Sequence, residues 1–153
     1  MRFDYIQPFV DSAAVVLELV LQSEIRRGRP TLTASPVTFK GVVTLVGLAG
    51  EVEGRVIFDM DQETALKIAS TMNGEGFHEF TPMAQDCLQE LASMMIGKAV
   101  TTLNDTGFRF HLTPPTLFLG ENMTVVPQPL ETLVISLGTE IGEVVMNVAI
   151  RTT

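Results

Sequence analysis

Residues 81–103, TPMAQDCLQELASMMIGKAVTTL, decide how the rest of the chain is read. Thr81 suits a helix cap, because its hydroxyl accepts a hydrogen bond from an unpaired backbone N–H of the first turn. Pro82 suits the first helical position because it has no N–H to lose. At about 100° per residue, Leu88, Leu91, Ala92, Met95, Ala99 and Leu103 gather on one side of the helix. Asp86, Glu90, Ser93, Gly97, Thr101 and Asn104 gather on the other. A stripe kept only for solubility normally carries Lys, Arg and several Glu. This one sets a carboxylate among small residues, and Gly97 costs roughly 1 kcal/mol relative to Ala inside a helix. Small residues around one carboxylate leave room for close docking, where a plain solvated face is the alternative.

Working outward, Asp61 caps a second helix, QETALKIASTM, whose Ala65, Leu66, Ile68, Ala69 and Met72 form the buried side and which ends at Asn73-Gly74. Residues 36–48 and 51–60 are strand-like runs joined by a hairpin turn at Ala49-Gly50, with Gly41 and Gly47 marking bends or close backbone approach. Residues 4–25 read as a first helix capped by Asp4, with Ile6, Phe9, Val10, Ala13, Leu17, Val20 and Leu21 at helical spacing. Arg26, Arg27, Gly28, Arg29 and Pro30 break that pattern as a solvated loop or a weak anion contact. After the long helix, residues 108–112, 116–119, 123–126, 132–137 and 143–150 are strand candidates, the last two joined around Gly138-Thr139-Glu140. The order is α-β-β-α-α-β-β-β, an α/β chain of the α+β kind with helices packed on an antiparallel or mixed sheet.

The chain has 153 residues, 46% of them hydrophobic and 18% charged, which predicts one domain over 1–153 with a real core. A net charge of −8 gives no basic surface for a nucleic acid or an anionic membrane. The longest apolar run, residues 13–21 with Glu18 inside it, falls short of the roughly 20 residues a spanning helix needs. The N-terminus lacks the basic region and cleavage site of a signal peptide, so a cytoplasmic location is expected. Cys87 is the only cysteine, and no His nearby makes it a nucleophile. His78 and His111 have no companions at metal-ligand spacing, so no zinc or iron site is expected. There is no P-loop, dinucleotide fingerprint or nucleophile elbow. The chain therefore either binds something or completes a site on a partner.

The long helix resembles the signature of the CheC/CheX/FliY family of chemotaxis phosphatases: an acidic or Ser residue, three residues, Glu, two residues, Asn, then Pro-Thr some two dozen residues on. Here these are Asp86, Glu90, Ser93 and Pro115-Thr116. The likeness extends to PFVDSAAVVLELV, GVVTLVGLAGEVEGRVIFDM, ETALKIASTMNGE and PTLFLG, and one motif copy is similar to the single-site CheX branch. The resemblance implies a CheC-like/CheX fold whose protomers pair across sheet edges as a homodimer. It also implies a partner, a phosphorylated CheY-type response regulator that supplies the phosphoaspartate and the Mg²⁺, so that this chain needs no cofactor of its own. By the same resemblance Glu90 pairs with a lysine of the receiver, and position 93 holds the attacking water. Asp86, Gln89, Gly97 and Pro115 border that turn as partner-binding candidates.

Position 93 departs from the motif. A Ser hydroxyl is shorter than the Asn carboxamide and presents one donor where the carboxamide presents two. Losing one preorganised contact in a transition state costs roughly 2.7–4 kcal/mol. The resemblance thus implies either a phosphatase that tolerates Ser93 or a weak or inactive module that docks a receiver or a flagellar-switch partner. Gln89 carries an amide that could replace the missing one, though it points about 100° away from Glu90.

Overall fold

The computed structural model describes residues 3–33, 37–125 and 130–152. Helix α1, Phe3–Leu21, buries Ile6, Phe9, Val10, Ala13 and Leu17 along one side. The apolar repeat continues to Ile25, but the helix stops at Leu21 and Gln22 takes a left-handed conformation, φ 52°. Asp4 lies within the first turn instead of capping it, where its charge still favours the positive end of the helix. The arginine segment is not a free loop. Strand β1, Arg26–Arg27, pairs with a later strand, Gly28 N donates to Ser136 O at 2.7 Å, and Arg27 reaches Asp11 on α1 at 2.7 Å. Strand β2 is Thr31–Thr33.

The run expected over 36–48 is two strands, β3, Val37–Thr38, and β4, Val42–Gly50, with Pro36 outside the described residues. Gly41 makes the corner between them at φ 138°, a conformation that favours glycine. Strand β5, Val52–Met60, closes the hairpin with β4 around Glu51. Helix α2, Gln62–Asn73, starts where Asp61 accepts from Thr64 N at 2.8 Å and ends at left-handed Gly74. Helix α3, Pro82–Asp105, starts where Thr81 accepts from Ala84 N, and runs two residues past Leu103. Strands β6, Phe110–Leu112, β7, Thr116–Leu119, β8, Thr124–Val125, β9, Thr132–Thr139, and β10, Gly142–Thr152, complete the chain. The last turn falls at Glu140 and Ile141, and Val126 lies outside the described residues.

Among the described residues every strand pairing is antiparallel. The main sheet runs β1-β9-β10-β5-β4-β6, with β2 also on β9 and β7 also on β4. Alternation along the strands turns Val42, Val46, Val56, Phe58, Met146, Val148 and Ile135 toward the helices, in one core with α1, α2 and α3. On the reverse face Val43 and Ile57 pack with Phe39 in a smaller cluster at the base of the β3–β8 ribbon.

β6 and β7 are two halves of one edge interrupted at Thr113. Its N–H donates to Gly47 O at 3.0 Å, and its hydroxyl accepts from Gly47 N at 2.8 Å. A Cβ on Gly47 would stand 3.1 Å from the Thr113 methyl, so the glycine at that position permits the close approach anticipated from sequence.

Asp59 is a buried carboxylate on the reverse face, accepting from Lys40 N at 2.9 Å. Burial pushes its pKa from 3.8 up to about 6, opposed by the Lys40 bond and charge and reinforced by Asp61. The folded state therefore holds this proton more tightly than the unfolded one. Its stabilising contribution is complete below about pH 4 and is lost as pH rises through about 6. Asp59→Asn removes this linkage. Denaturant unfolding of both proteins from pH 4 to 7 is expected to show their stability difference moving in favour of Asn as pH rises, and a difference that does not change with pH contradicts the assignment.

Candidate functional site

The site is built on α3, whose inner side buries Ala84, Leu88, Leu91, Ala92, Met95, Ile96, Ala99 and Leu103. Each large apolar side chain buried here contributes about 1.5–3 kcal/mol, which far outweighs the cost of one glycine in the helix. The start of the helix is fixed by the loop before it. Ser70 Oγ accepts from Phe77 N at 2.8 Å, Gln85 Nε2 donates to Phe80 O at 2.9 Å, and Thr81 supplies the cap. Near its end, Tyr5 of α1 meets Phe108 edge to face at 4.7 Å between ring centroids. The outward turn is therefore held from both ends.

Asp86, Glu90, Ser93, Gly97, Thr101 and Asn104 are all exposed, as the helical spacing requires. Glu90 and Ser93 lie about 60° apart around the axis, one turn from each other. Neither makes a hydrogen bond or ion pair with another described side chain. A Cβ built on Gly97 meets nothing within 4 Å, so packing within this chain does not require glycine there.

Gln89 and Pro115 are brought together, but not on the stripe. Both are half-buried, and Gln89 Nε2 donates to Pro115 O at 3.3 Å. The amide nearest the missing carboxamide is thus engaged in tying the β6–β7 connection to α3, one turn before Ser93. This bond joins the two separated parts of the motif, and Gln89 acts as a brace.

Two residues of the stripe were not singled out from sequence. Met83 is 57% exposed and Met94 39%, and both lie within about 40° of Glu90 around the helix. The helical spacing already sets both on the Glu90 side, and the packing confirms that they miss the core. Exposed methionines beside a carboxylate offer a deformable apolar rim to a partner. Cys87, half-buried, has its thiol pKa raised by burial and then by Asp86, which keeps it protonated and unreactive. Among the described residues no three His, Cys, Asp or Glu side chains converge as a metal site would require, and no helix is long and apolar enough to cross a membrane.

Gly97→Ala separates stability from docking. It is expected to stabilise the fold by up to about 1 kcal/mol in denaturant unfolding and to weaken any partner lying close over this stripe. A destabilised Gly97→Ala protein would show that the glycine serves the fold.

Comparison with known proteins gives three findings. A family model described as chemotaxis phosphatase CheX matches residues 42–137. The CheY-P phosphatase CheX of Thermotoga maritima is 28% identical over 121 residues, 78% of each protein. Among solved structures, CheX of Borrelia burgdorferi, in its CheX-CheY-BeF3-Mg+2 complex, is 41% identical, covers 98% of this chain and 99% of that one, and superposes with a TM-score of 0.85. A CheC-like superfamily protein from Shewanella sp. PV-4 shares the fold at a TM-score of 0.87 and 24% identity, covering 99% of each chain.

Proposed function

This chain belongs to the CheX family of chemotaxis phosphatases, and from that premise we propose that it docks a phosphorylated CheY-type receiver through the turn of Glu90 and Ser93 and promotes hydrolysis of the receiver's phosphoaspartate. The observation that carries this reading is the exposed, unpaired Glu90 on a capped helix, with open space over Gly97 about two turns on. Phosphoryl transfer asks a protein mainly for positioning and charge stabilisation. Water attacks the phosphorus, the bond to the aspartyl oxygen breaks, orthophosphate leaves and the carboxylate is regenerated. The receiver brings the phosphoaspartate and Mg²⁺. Glu90 pairs with a receiver lysine and fixes the orientation of α3, Ser93 faces the water, and Asp86, Gly97, Met83 and Met94 form the surrounding contact. The reaction takes place in the cytoplasm.

A second reading is favoured by Ser93 itself. With one short hydroxyl at the water position, the chain docks the receiver but hydrolyses slowly. Both readings share the docking face and differ only in rate.

Homodimerisation is supported by the β6–β7 edge, where Leu112, Phe118 and Leu119 are exposed large apolar side chains. Sedimentation that finds a monomer at high concentration removes that part of the proposal.

The deciding experiment follows loss of phosphoryl label from a CheY-type receiver of the same organism, with Mg²⁺, with and without this protein. Acceleration that disappears in Glu90→Ala is expected of a phosphatase. Ser93→Asn is expected to raise the rate by about 10²-fold, the scale of one preorganised transition-state contact. If Ser93→Asn leaves the rate unchanged, position 93 does not hold the water.

A further inference from the structure

The chain has eight methionines, and those that an oxidant can reach are gathered in one place. Met60, Met95 and Met146 are at most 2% exposed, and Met72 and Met123 are half-buried. Among the described residues only Met83 and Met94 are exposed methionines, and both stand on the stripe of Glu90. Met83 lies about 10 Å before Glu90 along the axis of α3, and Met94 about 6 Å beyond it. A standard interface covers about 800 Å² of each partner, a patch about 30 Å across. Centred on Glu90, such a patch takes in both thioethers.

A thioether needs no ionisation to react, so exposure decides which methionine is oxidised. The usual competitor for an oxidant is a thiolate. Cys87 stands one turn from Met83, but burial and then Asp86 hold its thiol protonated. In the reaction a lone pair of Sδ attacks one oxygen of hydrogen peroxide. The S–O bond forms as the O–O bond breaks, the second oxygen leaves as water, and the two electrons lost by sulfur go to the peroxide. The product is a polar sulfoxide where an apolar side chain stood. Its oxygen accepts hydrogen bonds and cannot donate, and so do the carboxylates one turn away, Asp86 from Met83 and Glu90 from Met94. Lys98, one turn beyond Met94, can donate to that sulfoxide only. A partner that closes over Met83 therefore strips water from an oxygen that gains no bond from these carboxylates, and burying an unpaired polar group is unfavourable. The change is reversible: two thiols of a methionine sulfoxide reductase remove the oxygen as water and become a disulfide.

We propose that Met83 and Met94 are sites of reversible oxidation to the sulfoxide, and that their oxidation weakens the docking of the receiver. This rests on the docking reading above. In the test the full-length protein is treated with hydrogen peroxide, the peroxide is removed, and peptide mass spectrometry follows each methionine. Affinity is then measured for a CheY-type receiver of the same organism loaded with beryllofluoride and Mg²⁺. Met83 and Met94 are expected to oxidise before Met60, Met95 and Met146, and affinity is expected to fall about fivefold or more. Methionine sulfoxide reductase with a thiol restores it. Peroxide treatment is expected to change the affinity of a Met83→Leu/Met94→Leu protein by less than about twofold, whatever its starting value, and to leave the full loss in Cys87→Ser. Complete oxidation of both methionines without loss of affinity overturns the switch and leaves the docking reading intact. A loss that persists in the double leucine variant, or a melting temperature that falls on treatment, assigns the effect to another sulfur or to the core and also overturns it. Failure of the untreated protein to bind removes both readings.

Discussion

The rest of the molecule depends on the seating of one side of α3 against the sheet. Leu88, Leu91, Met95, Ile96 and Leu103 are almost wholly buried, in one core with the strand residues Val46, Phe58 and Met146. That seating fixes the rotation of the helix, and rotation alone determines which residues face outward. A shift of one residue would carry Glu90 about 100° around the axis and out of the stripe. The chemistry of the outer face is thus guaranteed by apolar contacts that take no part in it. The Thr81 cap and the Tyr5–Phe108 contact hold the helix against sliding along its axis.

Much of this was legible in the sequence because it is written in strong periodicities. The stripe of Asp86, Glu90, Ser93 and Gly97, the caps at Thr81 and Asp61, and the left-handed Gly74 each follow from a local rule that the tertiary structure leaves in force. The misreadings occurred where a nonlocal partner decides. Arg26 and Arg27 look like solvated loop until β9 is placed beside them. Asp4 looks like a cap, yet the helix already includes Phe3. Residues 36–48 look like one strand because nothing in the composition announces that Val37 and Thr38 pair with Thr124 and Val125 while Val42 onward pairs with β5.

At the site, the sequence identified the stripe but not its neighbours. Met83 and Met94 lie on the Glu90 side by helical spacing, but being apolar they do not stand out in a stripe recognised by its carboxylates and small residues. Gln89 looks like a spare amide, and only its distance to Pro115 shows that the amide is engaged. The proposed function divides the labour between the chains: this one would bring a carboxylate and a shape, and the reactive bond would stay on the other.

The interruption of the β6–β7 edge at Thr113 also has a consequence for colloidal behaviour. An open sheet edge ordinarily accepts foreign strands in many registers, which is the usual route to fibres. Here Thr113 is folded back onto Gly47, and Pro114 and Pro115 remove two N–H donors from the middle of the edge. A strand laid along it finds donors only on either side of the gap, so slipped registers lose bonds that the correct one keeps. An apolar edge bearing Leu112, Phe118 and Leu119 can therefore stay available for pairing without becoming a template for indefinite growth.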